Sequence, residues 1–152
     1  MGNLPQALTS YRASLDIRND LAKSDPDNVA AQRDVSVSLE AVGDLLGVQG
    51  NLPEALKSYR ADLAIAERIA KSDPGNVFWQ RDLAVSYAKF GILLQQDEQL
   101  SEARDAFASG RRIPAGLLER FPDHSEWKKF LAWFDSAIAA LSQPAPQSPH
   151  RK

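Results

Sequence analysis

Few residues of this chain are of types that do chemistry. Histidine occurs only as His124 and His150, and cysteine is absent. His124 follows Pro122 in a turn and His150 lies near the end of a proline-containing tail. Each reads as a solvated side chain rather than an imidazole oriented by a structured shell. Without thiolates or a histidine pair at ligand spacing there is nothing to hold a transition metal. A Ser-His-Asp arrangement lacks its anchored base, and no glycine-rich phosphate loop occurs. Acidic residues are plentiful, but they are scattered over polar helix faces and read as solvated. The expectation is a protein that is not an enzyme, with no cofactor and no metal.

The most conspicuous polar signature is Gln32-Arg33-Asp34, which returns as Gln80-Arg81-Asp82. One reading makes it a structural ion pair or helix-start contact copied with its surroundings. The other places Arg33 and Arg81 in a row along a binding surface, ready to hold carboxylates.

Both readings depend on what surrounds the triplets, and that is a repeat. Gly2-Asn3-Leu4-Pro5 recurs as Gly50-Asn51-Leu52-Pro53, Ser10-Tyr11-Arg12-Ala13 as Ser58-Tyr59-Arg60-Ala61, and Lys23-Ser24-Asp25-Pro26 as Lys71-Ser72-Asp73-Pro74. The offset is constant at about 48 residues, and about half of the aligned positions are identical. A third, decayed copy sets Leu100, Glu102, Ala103 and Phe107 under Leu52, Glu54, Ala55 and Tyr59, and Pro122 and Trp127 under Pro74 and Trp79. The copies span about 2–49, 50–97 and 98–142 of a single repeat domain, 1–142. Residues 143–152 are rich in proline and polar residues and read as a disordered tail.

Within each copy the apolar spacing is helical. Leu4, Leu8, Tyr11 and Leu15 step by four, three and four, and Leu52, Leu56, Tyr59 and Leu63 repeat the pattern. No useful stretch alternates with period two, so strands are not expected. Asp25 to Asn28 and Asp73 to Asn76 read as turns in which proline stops one helix and asparagine caps the next. The fold expected is all-α, six helices over about 4–23, 29–49, 52–71, 77–96, 100–120 and 125–141. Short turns make sequential helices antiparallel neighbours. Gly110, Pro114 and Gly116 predict a kink or break near Ile113.

At 152 residues, with 18 basic and 20 acidic side chains, the chain has the size and charge of one soluble domain. It lacks the basic stripe of a nucleic-acid binder. No apolar run is long enough to span a membrane, and no signal-peptide pattern opens the chain. The expected location is cytoplasmic.

The paired helices resemble the tetratricopeptide repeat. Leu39, Val42-Gly43 and Leu46, and again Tyr87, Phe90-Gly91 and Leu94, match the family's first helix. Ala7 and Tyr11, Ala55 and Tyr59, and Ala103 and Phe107 match the small-then-aromatic pattern of its second helix. The period exceeds the usual 34 residues or so, and is similar to the long-helix repeats of large bacterial proteins. The resemblance implies a right-handed solenoid acting as a protein-interaction scaffold. It also implies that first-type helices line a concave surface. On that surface fall Arg33, Val37, Glu40, Asp44 and Val48, then Phe78, Arg81, Val85, Ala88, Ile92 and Gln96, with Lys89 on the flank. The apolar character of the second stripe suits a groove for a peptide or amphipathic helix, or else a face partly covered by a neighbouring helix. The lysine and asparagine clamp that some members use for chaperone C-termini is absent, since Glu40, Asp44, Ala88 and Ile92 stand there. Trp133 lies off the core stripe of the last helix, either packed on the helix before it or anchoring a partner. The chain opens on a second-type helix with no first-type helix ahead of it. That leaves a homodimer through this edge, or membership of a longer array, as the alternative to an adaptor.

Overall fold

A computed structural model describes residues 3–142. The tail at 143–152, and the disorder expected of it, lie outside these residues. Six helices and no strand occur among the described residues: α1 (Leu4–Ser24), α2 (Val29–Val48), α3 (Leu52–Ser72), α4 (Val77–Gln96), α5 (Leu100–Arg120) and α6 (Ser125–Ala140). All six fall within about one residue of the positions that the periodicity predicts.

The helix ends follow from local chemistry. The Asn3, Asn28 and Asn76 side chains accept from backbone N–H groups of the first turns of α1, α2 and α4, satisfying donors that a helix start leaves free. Pro5 and Pro53 occupy first-turn positions where no intrahelical N–H is needed. At the other end, Ser24 and Ser72 donate to the carbonyls of Leu21 and Ile69, both at 2.7 Å. Their hydroxyls carry α1 and α3 one residue beyond the expected lysines. Between α2 and α3 the chain turns on Gly50 at φ +75°, and Asn51 N–H bonds back to the Leu46 carbonyl at 2.9 Å. Glu98 takes the corresponding position before α5 at φ +59°, with Gln99 bonding to Leu94 at 2.9 Å.

Each helix packs chiefly on the one before and the one after it in sequence. Long side chains then reach the next helix but one. Arg33 of α2 meets Asp82 of α4, Arg81 of α4 meets Glu126 of α6, and Arg60 of α3 meets Glu102 of α5. A single apolar core runs through the molecule from Leu8 of α1 to Phe134 of α6.

Two glycines fix how closely consecutive helices approach. A Cβ on Gly43 of α2 would stand 2.7 Å from Tyr59 Cε2 of α3, well inside van der Waals contact. Gly91 of α4 lies under the Phe107 ring of α5 in the same way. In each case the aromatic fills the space that the glycine leaves.

The kink or break expected near Ile113 is not a break. α5 is one uninterrupted helix that includes Pro114. Gly110, four residues before the proline, has its own packing role: the Phe134 ring of α6 and Tyr87 Cβ of α4 occupy the place of its side chain. Burial of Pro114 and this contact hold the helix across a residue that would end an isolated one.

The two kinds of glycine should respond oppositely to alanine. Gly43→Ala must displace the buried Tyr59 ring and should lose about 1–3 kcal/mol. At Gly116 nothing lies within 4 Å of an added Cβ, so Gly116→Ala should gain up to about 1 kcal/mol from helix propensity. Urea unfolding of the two variants measures both signs.

Candidate functional site

The side chains that the sequence places on first-type helices come together between α2 and α4. At one end, Arg33 Nε lies 2.8 Å from Asp82 Oδ2, and its guanidinium sits over the Phe78 ring at 5.0 Å from the centroid. Arg81 is not in this pair. It reaches the other way, 2.9 Å to Glu126 of α6. The two arginines are equivalent in the repeat, but the position matching Asp82 on α6 is Phe130, so Arg81 takes the carboxylate one helical turn earlier. The neighbouring glutamines act alike: Gln32 Nε2 donates to the Ala22 carbonyl and Gln80 Nε2 to the Ala70 carbonyl, both at 3.2 Å. Each ties the start of a first-type helix to the end of the preceding one.

Midway along the groove, Lys89 lies between Glu40, to which it bonds closely, and Asp44 at 3.1 Å. Burial alone would lower the lysine pKa, but the Glu40 hydrogen bond and charge, followed by those of Asp44, raise it above the ordinary value. Lys89 therefore stays charged and fully engaged. Asp44 also accepts from the Tyr59 hydroxyl. The tyrosine pKa is pushed up, first by burial and then by that bond.

Two open cavities flank this lysine. One, of about 200 Å³, is lined by Arg33, Ser36, Val37, Glu40, Arg81, Asp82, Val85 and Ser86. The other, about 390 Å³, has a floor of Gly43, Gly47 and Tyr59 and walls of Val48, Ile92, Leu93 and Gln96, with Asp44 and Lys89 at its edge. The Tyr59 ring, seated against Gly43, forms part of its lining. Val37, Val48, Phe78 and Ile92 are exposed apolar residues along these helices, and Ala88 is half-buried on α4. Trp133 lines neither cavity. It packs edge-on against Phe107 and Phe134, with 42% of its surface exposed.

Asp62, which sequence reasoning passed over, lies on α3 beneath the first-type helices with 1% of its surface exposed. Ser36 of α2 donates to its Oδ1, and Oδ2 has no protein partner. Burial raises its pKa to about 6, against hydrogen bonds from Ser36 and Ser86 that lower it, while Glu40 raises it further. The signal in the sequence was an acid set among Tyr59, Leu63 and Ala66 on an apolar stripe, where α1 has Ser14 and α5 has Gly110.

Among the described residues there is no cluster of three or more histidine, cysteine, aspartate or glutamate side chains placed to hold a metal ion. No helix of the described residues is long and apolar enough to cross a membrane. Neither a protein-family model nor a curated protein matches this chain.

The Asp62 carboxyl makes a pH prediction. Because its folded pKa is raised from 3.8 to about 6, its contribution is fully present below pH 3.8 and is lost as pH rises through 6. Asp62→Asn keeps a neutral side chain at every pH. Its stability relative to the parent should therefore climb between about pH 4 and 6, by up to about 3 kcal/mol. Urea unfolding across that range reads the difference, and a flat difference would remove the assignment.

Proposed function

We propose that the chain is a tetratricopeptide-like helical solenoid that binds a segment of a partner protein in the groove between α2 and α4, as an adaptor rather than an enzyme. The observation that carries this reading is the open 390 Å³ cavity at an apolar wall, beside an acidic rim whose one cation is already shared. Cavities of this size take one or two large side chains.

Charge indicates what those side chains are joined to. Arg33, Arg81 and Lys89 are each in an ion pair, Arg33 with Asp82, Arg81 with Glu126, and Lys89 with both Glu40 and Asp44. A free carboxylate entering the groove would have to displace one of those pairs. A lysine or arginine would instead meet Asp44, whose side chain is 53% exposed and which holds half a share of Lys89. The ligand that fits is a peptide or helix with a large apolar residue next to a basic one, in the manner of helix-in-groove recognition. A cytoplasmic setting accompanies this reading. The exposed apolar residues of α1 (Tyr11, Ile17 and Leu21) favour a second reading, a structural repeat that associates through that helix.

Selection of a random peptide library on the immobilised protein tests the groove. Recovered peptides should pair Lys or Arg with Leu, Ile or Phe, and should bind Ile92→Ser at least about tenfold more weakly. Recovery of acidic peptides, or equal binding by that variant, would contradict the proposal. Ile92 is partly exposed, so its replacement leaves the core intact.

A further inference from the structure

Four polar side chains are buried among the described residues, and three of them meet: Ser36 of α2, Asp62 of α3 and Ser86 of α4. The fourth, Ser38, is held by the Asp34 carbonyl of its own helix and by Arg18 of α1. Ser36 and Ser86 also line the 200 Å³ cavity between α2 and α4. Asp62 does not line it, and acts on it through the two serines.

The charged side chains lining this cavity balance, Arg33 and Arg81 against Glu40 and Asp82. The charge state of Asp62 therefore tips the sign of the site. It also sets the direction of the hydroxyls. Each serine has one proton to donate and lone pairs to accept with. Ionised Asp62 only accepts, so the serine protons turn inward and their lone pairs face the cavity. Protonated Asp62 is itself a donor, and a serine that accepts from it turns its own proton outward. Ionisation thus gives the cavity both negative charge and acceptors, which a lysine or arginine side chain requires. Protonation removes both.

The ionisable groups facing Asp62 are Glu40 from α2 and Lys89 from α4, with Tyr59 beside it on α3 and Asp44 bonded to that tyrosine. Tyr59 and Lys89 are both raised above their ordinary values, so neither changes charge between pH 5 and 7.5. Asp62, pushed up to about 6 chiefly by burial, changes charge within that range.

We propose that the cavity lined by Ser36 and Ser86 takes a lysine or arginine side chain of the segment bound between α2 and α4, and that Asp62, as a positioning residue behind the serines, makes that binding depend on pH. This rests on the groove reading above and adds its regulation. The probe is an N-acetylated amphipathic helical peptide of leucine and lysine, which has no side chain that titrates between pH 5 and 7.5. The intact protein should bind it about tenfold more tightly at pH 7.5 than at pH 5, because a bound cation favours the ionised carboxyl. By reciprocity, the titration midpoint of the Asp62 carboxyl carbon in nuclear magnetic resonance should fall by about one pH unit when the peptide is bound. Asp62→Asn keeps Glu40, Asp44 and both histidines. It should bind at either pH as weakly as the parent does at pH 5, within about twofold, with circular dichroism as the check on folding. Binding that shifts the α2 and α4 amides but does not vary with pH would overturn this proposal and leave the groove reading standing. An equal pH dependence in Asp62→Asn would also overturn it. No binding at either pH would overturn both.

Discussion

The arrangement of the chain depends on an aromatic ring laid over a glycine. Tyr59 on Gly43 and Phe107 on Gly91 set the separation of α2 from α3 and of α4 from α5. A methyl group at either glycine would meet the ring at less than contact distance. The helices are therefore held close by one contact each, and the residues to either side pack in consequence. Leu46, Ala55, Leu94 and Ala103 are all nearly or fully buried beside these contacts. Phe134 on Gly110 makes the same bargain between α6 and α5, with the ring and the glycine exchanged between the two kinds of helix. That exchange is why the third copy looks decayed in sequence while its packing logic persists.

The close approach also shapes the polar surface. The Tyr59 ring, seated against Gly43, lines the larger cavity together with Gly47 and Ile92. Bringing α2 beside α4 puts Glu40 and Asp44 within reach of Lys89, and Arg33 within reach of Asp82. These half-exposed pairs add little to stability by themselves. Their larger effect is to occupy Arg33 and Lys89 and to leave the Asp44 carboxylate on the rim. Beneath them Asp62 is a buried acid with one oxygen unpartnered, held by serines from two different helices and costly to ionise. It marks the one place where the middle copy gives up apolar packing for a polar junction under the groove.

Much of the fold was legible because local signals agreed with one another. Asn28 and Asn76 cap, Pro5 and Pro53 open helices, and the Leu-Leu-Tyr-Leu spacing gives one apolar face, so the six helical spans could be read from sequence. The relation between helices was less legible. Gly110 and Pro114 carry the local signature of a break, and only the Phe134 ring, a helix away, shows why α5 continues. The arginines of the repeated Gln-Arg-Asp triplets look alike in sequence but pair differently, because Phe130 replaces the expected acid on α6. Lys89 was placed on the flank of its helix by periodicity, yet it stands at the centre of the groove once α2 is alongside. Tyr59 could be read as a core residue but not as the floor of a cavity, since that depends on two glycines of another helix.

Whether the α2–α4 groove takes an apolar side chain beside a positive charge can be read by nuclear magnetic resonance titration. The probe is an amphipathic helical peptide of leucine and lysine, run against its leucine and glutamate counterpart. Amide shifts from the lysine peptide should concentrate at Gly43, Asp44, Gly47, Ile92 and Gln96, with little change from the glutamate peptide. Shifts of equal size from both peptides, or shifts centred away from α2 and α4, would contradict it.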